Sequence, residues 1–230
     1  PDLVPALTET DPQVLGVPPL PVKPLEPAAQ HTADLVNEFI AQARRILAGE
    51  HPANMLLLRG FAKYPHLSSM TERYGVRAAA IAAYPMYRGL AKLVGMAGLP
   101  SGQTVADEFT ALEQNWNDYD FFYLHVKKTD SYGEDGDFDH KVAVIEEVDQ
   151  LLPRLTALKP DVIVVTGDHS TPSRLKSPSW HPVPVLLHAR YCRPDLAKSF
   201  GERACGQGSL GVFPAVNIMP LALAHALRLT

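Results

Sequence analysis

Residues 161–184 read DVIVVTGDHSTPSRLKSPSWHPVP, an apolar, β-branched run that ends at Asp168 and His169 and is followed by a loop containing His181. Such a run predicts a buried strand. A carboxylate and an imidazole at the carboxyl end of a strand point into the crevice where open α/β sheets bind ligands. The stretch therefore predicts both a sheet and a ligand site at its edge.

The rest of the chain alternates helical and strand periods around this stretch. Helices are predicted at 32–49, 85–96, 104–116, about 139–157 and 220–229. Strands are predicted at 54–60, 76–83, 120–127, 161–167 and 184–189. In the first helix Thr32 is placed to cap the start and Gly49 to stop the end, and the 54–60 strand is expected to be buried on both faces. Strands separated by helices predict an α/β fold with a mainly parallel sheet and helices on both faces.

Composition excludes several classes of protein. The 230 residues are 46% hydrophobic, enough for a full core, and the 21 basic and 25 acidic side chains give a net charge of −4. This balance offers no broad basic surface, so neither nucleic acid nor anionic lipid is an expected partner. No apolar stretch approaches the roughly 20 residues that cross a bilayer. Cys192 and Cys205 lack C-x-x-C spacing, which fits structural thiols in a reducing cytoplasm.

The amino-terminal segment has an unusual composition. Eight prolines fall within the first 27 residues, and the chain does not begin with Met. Proline fixes φ and removes amide donors, so the segment predicts an extended arm rather than a helix or central strand. We expect residues 1–30 to be a connector or the end of a substrate domain, followed by a metal-binding domain at 31–230. The chain is either a truncated piece of a longer protein, which the opening favours, or a natural short protein.

Ligand-type side chains follow two of the predicted strands. After the 120–127 strand come the acidic residues Asp130, Glu134, Asp135, Asp137 and Asp139, and after the 161–167 strand come Asp168 and His169. Clustered carboxylates repel unless a cation neutralises them, and carboxylate oxygens with an imidazole suit Mn²⁺, Zn²⁺ or Mg²⁺. The alternatives are a solvated acidic loop for the first group and a helix-capping Asp for the second.

Other polar residues are weaker candidates. Arg59 and Arg88 could each bind a phosphate in bidentate fashion, or pair with surface acids. Ser170 and Thr171 could supply a hydroxyl nucleophile, although turn and cap roles before a proline are the commoner use of these residues. His125, which alternates within its strand, is expected in the core or beside a ligand-binding residue.

Several segments carry a resemblance to a known family. HVKKTD at 125–130, GDHSTP at 167–172 and SWHPVPVLL at 179–187, together with NMLLLRG and YPMYRG upstream, resemble the cofactor-independent phosphoglycerate mutases. The archaeal-type branch, within the alkaline phosphatase superfamily, is the more similar one. The resemblance covers roughly the carboxyl-terminal half of such an enzyme.

The resemblance implies a phosphotransferase with two divalent cations, Mn²⁺ being the expected ion and Mg²⁺ or Zn²⁺ the alternatives. One cation would be held by Asp130, Glu134 and a residue of the loop before the PVP sequence. The other would be held by Asp168 and His169 with an aspartate and a nucleophilic serine that lie near the amino terminus of the full-length enzymes. The substrate would be phosphoglycerate, and the serine would carry its phosphate between neighbouring hydroxyls.

The resemblance also assigns Arg59 and Arg88 to the phosphate or carboxylate of the substrate. Two positions depart from the family pattern: many relatives have His at the position of Glu134, and often His at the position of Pro178. We expect His181 to replace the ligand that Pro178 cannot provide.

The nucleophilic serine has no match in the sequence, so the chain alone is expected to lack mutase activity. A metal-dependent phosphatase and a non-catalytic domain are the alternative functions. The sequence leaves the oligomeric state open.

Overall fold

The computed structural model describes residues 2–229, and the chain divides into two compact units, Pro1–Leu67 and Ser68–Thr230. The predicted boundary near residue 30 stays a prediction. Within residues 2–229, no helix is long and apolar enough to cross a membrane.

The first unit is built around one helix, α1 (Gln30–Leu47), which follows a short 3₁₀ turn at Pro27–Ala29. Its core joins the proline-rich arm to this helix, with Leu7 and Val22 packed against Ala29 and Ala33. The prediction that Thr32 caps the helix is wrong, because Thr32 lies inside it. Its buried hydroxyl instead accepts a hydrogen bond from the Val4 backbone amide at 2.9 Å.

The helix ends at Leu47 with Ala48 as its C-cap, so Gly49 directly follows the end of the helix, as predicted. Leu35, Phe39 and Ile46 of this helix are exposed. One further prediction for the first unit is wrong. Residues 54–60 form no strand. The backbone of this run pairs with a single residue, Thr10, through Leu58. The Leu58 carbonyl accepts hydrogen bonds from the Thr10 amide and hydroxyl, and the Leu58 amide donates to the Thr10 hydroxyl. An apolar run becomes a strand only where a neighbouring strand satisfies its amides and carbonyls.

The second unit contains a three-stranded parallel sheet. The unit opens with α2 (Met70–Tyr74), and β1 (Ala78–Ala82) is the central strand of the sheet. After α3 (Pro85–Leu93), β2 (Ala97–Leu99) pairs with one edge of β1, and after α4 (Val105–Gln114), β3 (Phe121–His125) pairs with the other. Every residue of β1 is buried, so the predicted strand at 76–83 is confirmed as a core strand. The edge strand β2 was not predicted.

Local sequence explains the helices of this unit. Pro85 occupies the first turn of α3, where the missing amide costs nothing, and Thr104 caps α4 in a reciprocal pair with Asp107. Beyond β3, α5 (Lys128–Asp135) is followed by the long α6 (Phe138–Ala157). A loop was one of the alternatives for the acidic segment, and the helix α5 was not predicted.

The last two strands form a separate sheet. β4 (Val162–Thr166) and β5 (Val185–Ala189) pair antiparallel, with Ile163 opposite His188. Both strands were predicted, but their separation from the parallel sheet was not. The chain ends with the short α7 (Glu202–Cys205) and with α8 (Ile218–His225), whose Leu223 packs against Ala78 and Ala80 of β1. Cys192 and Cys205 are free thiols.

Candidate metal centre

Three of the predicted ligands meet just beyond the carboxyl ends of β3 and β4. Asp130 lies in the first turn of α5, and Asp168 and His169 follow β4. The His169 Nε2 atom is 3.8 Å from Asp130 Oδ1 and 3.7 Å from Asp168 Oδ2. Two donor atoms that are each about 2.1 Å from one cation lie roughly 3 to 4 Å apart. Carboxylate and imidazole atoms at this spacing are suited to binding divalent cations.

The donor set is nevertheless incomplete. Within residues 2–229, no group of three or more His, Cys, Asp or Glu side chains is arranged to hold a metal ion. One imidazole nitrogen, Nε2 of His169, lies near two carboxylates, so these residues form part of a metal site and not a complete one.

Asp130 is held by two donors. Lys127 donates to Oδ2, and the Thr171 hydroxyl donates to Oδ1 at 2.6 Å. Burial alone would raise the pKa of Asp130, but the hydrogen bonds from Lys127 and Thr171 outweigh it and keep the pKa below its usual range. The carboxylate is therefore ionised near neutral pH.

Asp168 is held by a tyrosine from another part of the sheet. Tyr87, in the first turns of α3, donates from its hydroxyl to Asp168 Oδ2 at 2.5 Å. Its ring stacks on that of His125, with 3.8 Å between centroids. Burial raises the pKa of the Tyr87 hydroxyl, and the bond to Asp168 raises it further. Burial opposes the ionisation of Asp168 as well, but the bond from Tyr87 together with a backbone hydrogen bond and the nearby His169 and His125 outweighs it, so the pKa of Asp168 is lowered.

His125, at the end of β3, is half-buried. Its Nδ1 is buried with no hydrogen-bond partner among the described residues, and burial lowers the pKa of the ring. His125 is therefore a neutral packing partner of Tyr87, in agreement with the prediction that it lies in the core or beside a ligand-binding residue.

Thr171 links the two halves of the cluster. Its side chain is buried, and its hydroxyl lies 2.9 Å from His169 Nδ1 as well as 2.6 Å from Asp130 Oδ1. The Lys141 ammonium donates to the Thr171 carbonyl at 2.6 Å. A side chain at Gly133 would collide with that same carbonyl. The absence of a side chain at Gly133 therefore lets the loop that carries Thr171 lie close to α5.

The other two predicted ligands, Glu134 and His181, lie outside this hydrogen-bonded cluster and are exposed. Asp168 and His169 are themselves partly exposed, with 46% and 34% of their side-chain surface accessible. Glu134 lies one helical turn after Asp130 on α5, and this spacing puts both on the same face of the helix. His181 lies in the loop before β5, where its Nδ1 is 2.9 Å from the Ser179 hydroxyl and its ring stacks on Trp180 at 4.9 Å between centroids. The described hydrogen bonds of His181 thus stay within its own loop.

The predicted substrate-binding arginines lie in different units. Arg59, in the first unit, is exposed and lies 3.8 Å from Asp11. Arg88, in the second unit, is exposed in the first turns of α3, next to Tyr87.

The remaining members of the acidic group do not join the cluster. Asp137 caps α6 by accepting a hydrogen bond from the His140 amide at 3.1 Å, while Asp135 and Asp139 are exposed. Asp135 and Asp139 are thus solvated, but they lie on the helices α5 and α6 and not in the acidic loop of the alternative interpretation.

Sequence reasoning missed the residues that hold the ligands in place. Lys127 could have been found, since it stands three positions before Asp130 in the quoted HVKKTD motif. Thr171 was considered only as a nucleophile or turn residue. Tyr87 and Lys141 reach the site from other elements, and their positions follow only from the tertiary fold.

A family profile described as the metalloenzyme superfamily matches residues 24–225. The chain therefore belongs to the metalloenzyme superfamily, and this membership implies the use of a divalent metal.

Curated relatives of the chain are named as probable 2,3-bisphosphoglycerate-independent phosphoglycerate mutases. The chain is 54% identical over 223 residues to the one from Thermotoga neapolitana, covering 97% of this chain and 56% of the relative. It is 52% identical to those from Aquifex aeolicus over 225 residues (97% and 55%) and Thermus thermophilus over 227 residues (97% and 56%). The chain thus spans about half the length of the curated relatives it matches.

Solved structures agree with this similarity. A Pyrococcus horikoshii protein superimposes with a TM-score of 0.80 at 30% identity, covering 88% of this chain and 59% of that one. The cofactor-independent phosphoglycerate mutase of Thermoplasma acidophilum superimposes with a TM-score of 0.64 at 25% identity, covering 98% and 60%. The predicted α/β fold and the resemblance to these mutases are confirmed.

Proposed function

We propose that this chain forms the metal-binding part of a 2,3-bisphosphoglycerate-independent phosphoglycerate mutase, which interconverts 3-phosphoglycerate and 2-phosphoglycerate in the cytoplasm during glycolysis and gluconeogenesis. One observation carries the proposal: Asp130, Asp168 and His169 converge at the strand ends of a chain that is 54% identical to a probable mutase over 97% of its length. The partner is a small phosphorylated acid, with no role for nucleic acid or membrane.

The proposed ligands divide between two divalent cations, with Mn²⁺ expected and Mg²⁺ or Zn²⁺ as alternatives. Asp130, Glu134 and His181 serve one cation. Asp168 and His169 serve the other, together with an aspartate and a serine from a part of the protein outside these 230 residues. When bound, such cations lower the pKa of a serine hydroxyl and neutralise phosphoryl oxygens.

The residues of this chain prepare that chemistry. Lys127 and Thr171 hold Asp130 as an ionised carboxylate in one orientation, and Tyr87 does the same for Asp168. In the proposed reaction Arg59 and Arg88 bind the phosphate or carboxylate of phosphoglycerate, and the serine carries the phosphate from one hydroxyl of glycerate to its neighbour as a phosphoserine.

Calorimetric titration of the chain with Mn²⁺ and Zn²⁺ tests the metal role, with an Asp168→Ala, His169→Ala double variant as the control. We expect saturable binding by the unmodified chain and its loss in the variant, whose fold is checked by circular dichroism. Equal binding by both proteins would show that the cation sits elsewhere.

A turnover assay tests the reaction itself. With 3-phosphoglycerate as substrate, enolase as the coupling enzyme and Mn²⁺ present, the longer protein that includes the serine is expected to turn over, and the 230-residue chain alone is not. A rate proportional to the concentration of this chain would contradict the second expectation. Release of inorganic phosphate by the longer protein without isomer formation would instead identify a metal-dependent phosphatase.

One observation favours a different class of function, a non-catalytic domain. Lys127 and Tyr87 already engage the carboxylates of Asp130 and Asp168, so a cation must compete with both donors. If neither the chain nor the longer protein binds Mn²⁺ or Zn²⁺, the domain has kept the fold without the chemistry.

A further inference from the structure

The hydroxyl group of Thr171 makes two contacts whose protons can be counted. A hydroxyl carries one hydrogen and can therefore donate only once, although it can accept twice. Here it lies 2.6 Å from Asp130 Oδ1 and 2.9 Å from His169 Nδ1. The hydroxyl can donate its hydrogen to only one of these two atoms, and in the other contact it must accept a hydrogen from its partner.

The charge next to Asp130 decides which contact uses the hydrogen. The Lys127 ammonium donates to Oδ2 of the same carboxyl group, which favours the ionised form, and an ionised carboxylate can only accept. The hydroxyl must then donate to Asp130, and the bond to His169 requires a hydrogen on Nδ1. The other ring nitrogen, Nε2, is the one that faces Asp130 Oδ1 at 3.8 Å and Asp168 Oδ2 at 3.7 Å.

From this count we infer that Thr171 is a positioning residue, which holds His169 with its proton on Nδ1 and presents Nε2 toward the two carboxylates. The inference deepens the proposed function, on which it rests. A histidine binds a metal through the nitrogen that carries no hydrogen, and the bond made by the opposite nitrogen selects which one that is.

The surroundings of Thr171 make this arrangement rigid. Its residue surface is only 3% exposed, so water does not compete for the hydroxyl. Its carbonyl is held by Lys141 from α6 at 2.6 Å and lies against Gly133 of α5. Contacts from α5 and α6 therefore fix the loop that carries this hydroxyl, which is how a supporting group orients a ligand.

The inference is tested first without any metal. Nitrogen-15 NMR of the histidine-labelled chain distinguishes protonated from unprotonated ring nitrogens, and a His169→Gln sample identifies the signals of His169. We expect the proton of neutral His169 on Nδ1 in the unmodified chain and in Thr171→Ser, and a mixture of the two tautomers in Thr171→Val. A proton on Nε2 in the unmodified chain, or an unchanged tautomer in Thr171→Val, would overturn the inference. The measurement on the unmodified chain needs no variant to fold.

Mn²⁺ affinity supplies the second readout. Loss of a group that orients a ligand typically weakens metal binding by about 10- to 100-fold. We expect a loss of that size in Thr171→Val and recovery to within about threefold in Thr171→Ser, since serine restores the hydroxyl. Equal affinity in Thr171→Val and the unmodified chain would overturn the positioning role. If neither the chain nor the longer protein binds Mn²⁺ or Zn²⁺, the proposed function fails while the tautomer measurement still decides the inference.

Discussion

Asp130 and Glu108 are both acidic side chains withdrawn from solvent in the second unit, but their surroundings differ. Asp130, whose side chain is 15% exposed, receives hydrogen bonds from Lys127 and Thr171, and its pKa is lowered. Glu108 on α4 is 4% exposed, and its Oε2 has no hydrogen-bond partner among residues 2–229. Burial raises the pKa of Glu108 to about 7, although the Ala83 amide donates to the carboxyl.

The difference shows what distinguishes a candidate ligand from a structural acid. Burial by itself favours the neutral form of a carboxyl group, which binds cations poorly. Donors aimed at both oxygens of Asp130 reverse that preference and keep a charge in place at the strand ends. A buried acid with a raised pKa is often taken as the sign of a functional site, yet here the ionised acid is the better candidate.

The largest expected effect comes from making the same substitution at both acids. Asp130→Asn and Glu108→Gln each replace a carboxyl with an amide of nearly equal shape. We expect Asp130→Asn to weaken Mn²⁺ binding by about 100- to 1,000-fold, roughly 3 to 4 kcal/mol. Glu108→Gln should change it by less than about twofold. Calorimetry on the two variants measures both, and a larger loss in Glu108→Gln would reverse the comparison.

The next effect concerns stability and pH. The folded pKa of Glu108, about 7, lies above its ordinary value of 4.5, so the folded state binds the proton more tightly than the unfolded chain. The stability that protonated Glu108 contributes is present below pH 4.5 and is lost as the pH rises toward 7. Glu147 opposes ionisation, and Lys128 favours it.

Because Gln cannot ionise, the Glu108→Gln variant should gain stability relative to the unmodified chain as the pH rises from 5 to 8. The change in the difference between their free energies of unfolding should be about 2 to 3 kcal/mol, since one pKa unit corresponds to ~1.4 kcal/mol. Urea unfolding at both pH values measures it. A difference that stays constant with pH would mean that Glu108 ionises as it does in water.

Much of the fold follows from sequence, and the exceptions have physical reasons. The strands at 78–82, 121–125 and 162–166 were predicted because each is a short apolar run bounded by turn or helix signals; the first is buried in the structure and the other two are half-buried. The run at 54–60 is also apolar, but no strand among residues 2–229 pairs with it, and a pairing partner cannot be read from local sequence. The strand β2 has only three residues, too few for a period to be recognised.

The candidate site, like the fold, could be predicted from the sequence only in part. Asp130, Asp168 and His169 stand directly after predicted strands, so the local pattern places them at one edge of the fold. Their supporting bonds join distant parts of the chain: Tyr87 and Asp168 are 81 positions apart, and Thr171 and Asp130 are 41 apart. The helix α5 was missed because its acidic composition is typical of a loop, whereas in the structure it packs beside α6.

A smaller effect sharpens the comparison by removing a donor instead of an acid. Lys127→Met keeps the length of the side chain but frees Asp130 Oδ2 and removes a positive charge from the cluster. We expect Mn²⁺ to bind about tenfold more tightly, since the cation no longer displaces an ammonium group. The exposed neighbour Lys128, changed to Met, is the matched control and should alter the affinity by less than about twofold. Weaker binding in Lys127→Met alone would mean that Lys127 orients Asp130 more than it competes for it.

The smallest effect is expected at His181, the predicted ligand that stands outside the partly buried cluster. It is exposed, and Ser179 and Trp180 of its own loop are its described partners, so its orientation is fixed only within that loop. A flexible ligand gains less on binding because ordering it costs conformational entropy. We therefore expect His181→Ala to weaken Mn²⁺ binding to this chain by less than about threefold, against at least about 100-fold for His169→Ala. Calorimetry on both variants provides the measurement. Equal losses would show that the loop closes onto the cation and that His181 replaces the ligand absent at Pro178. A side chain of this protein would then not need to be buried before the metal binds in order to serve as a ligand.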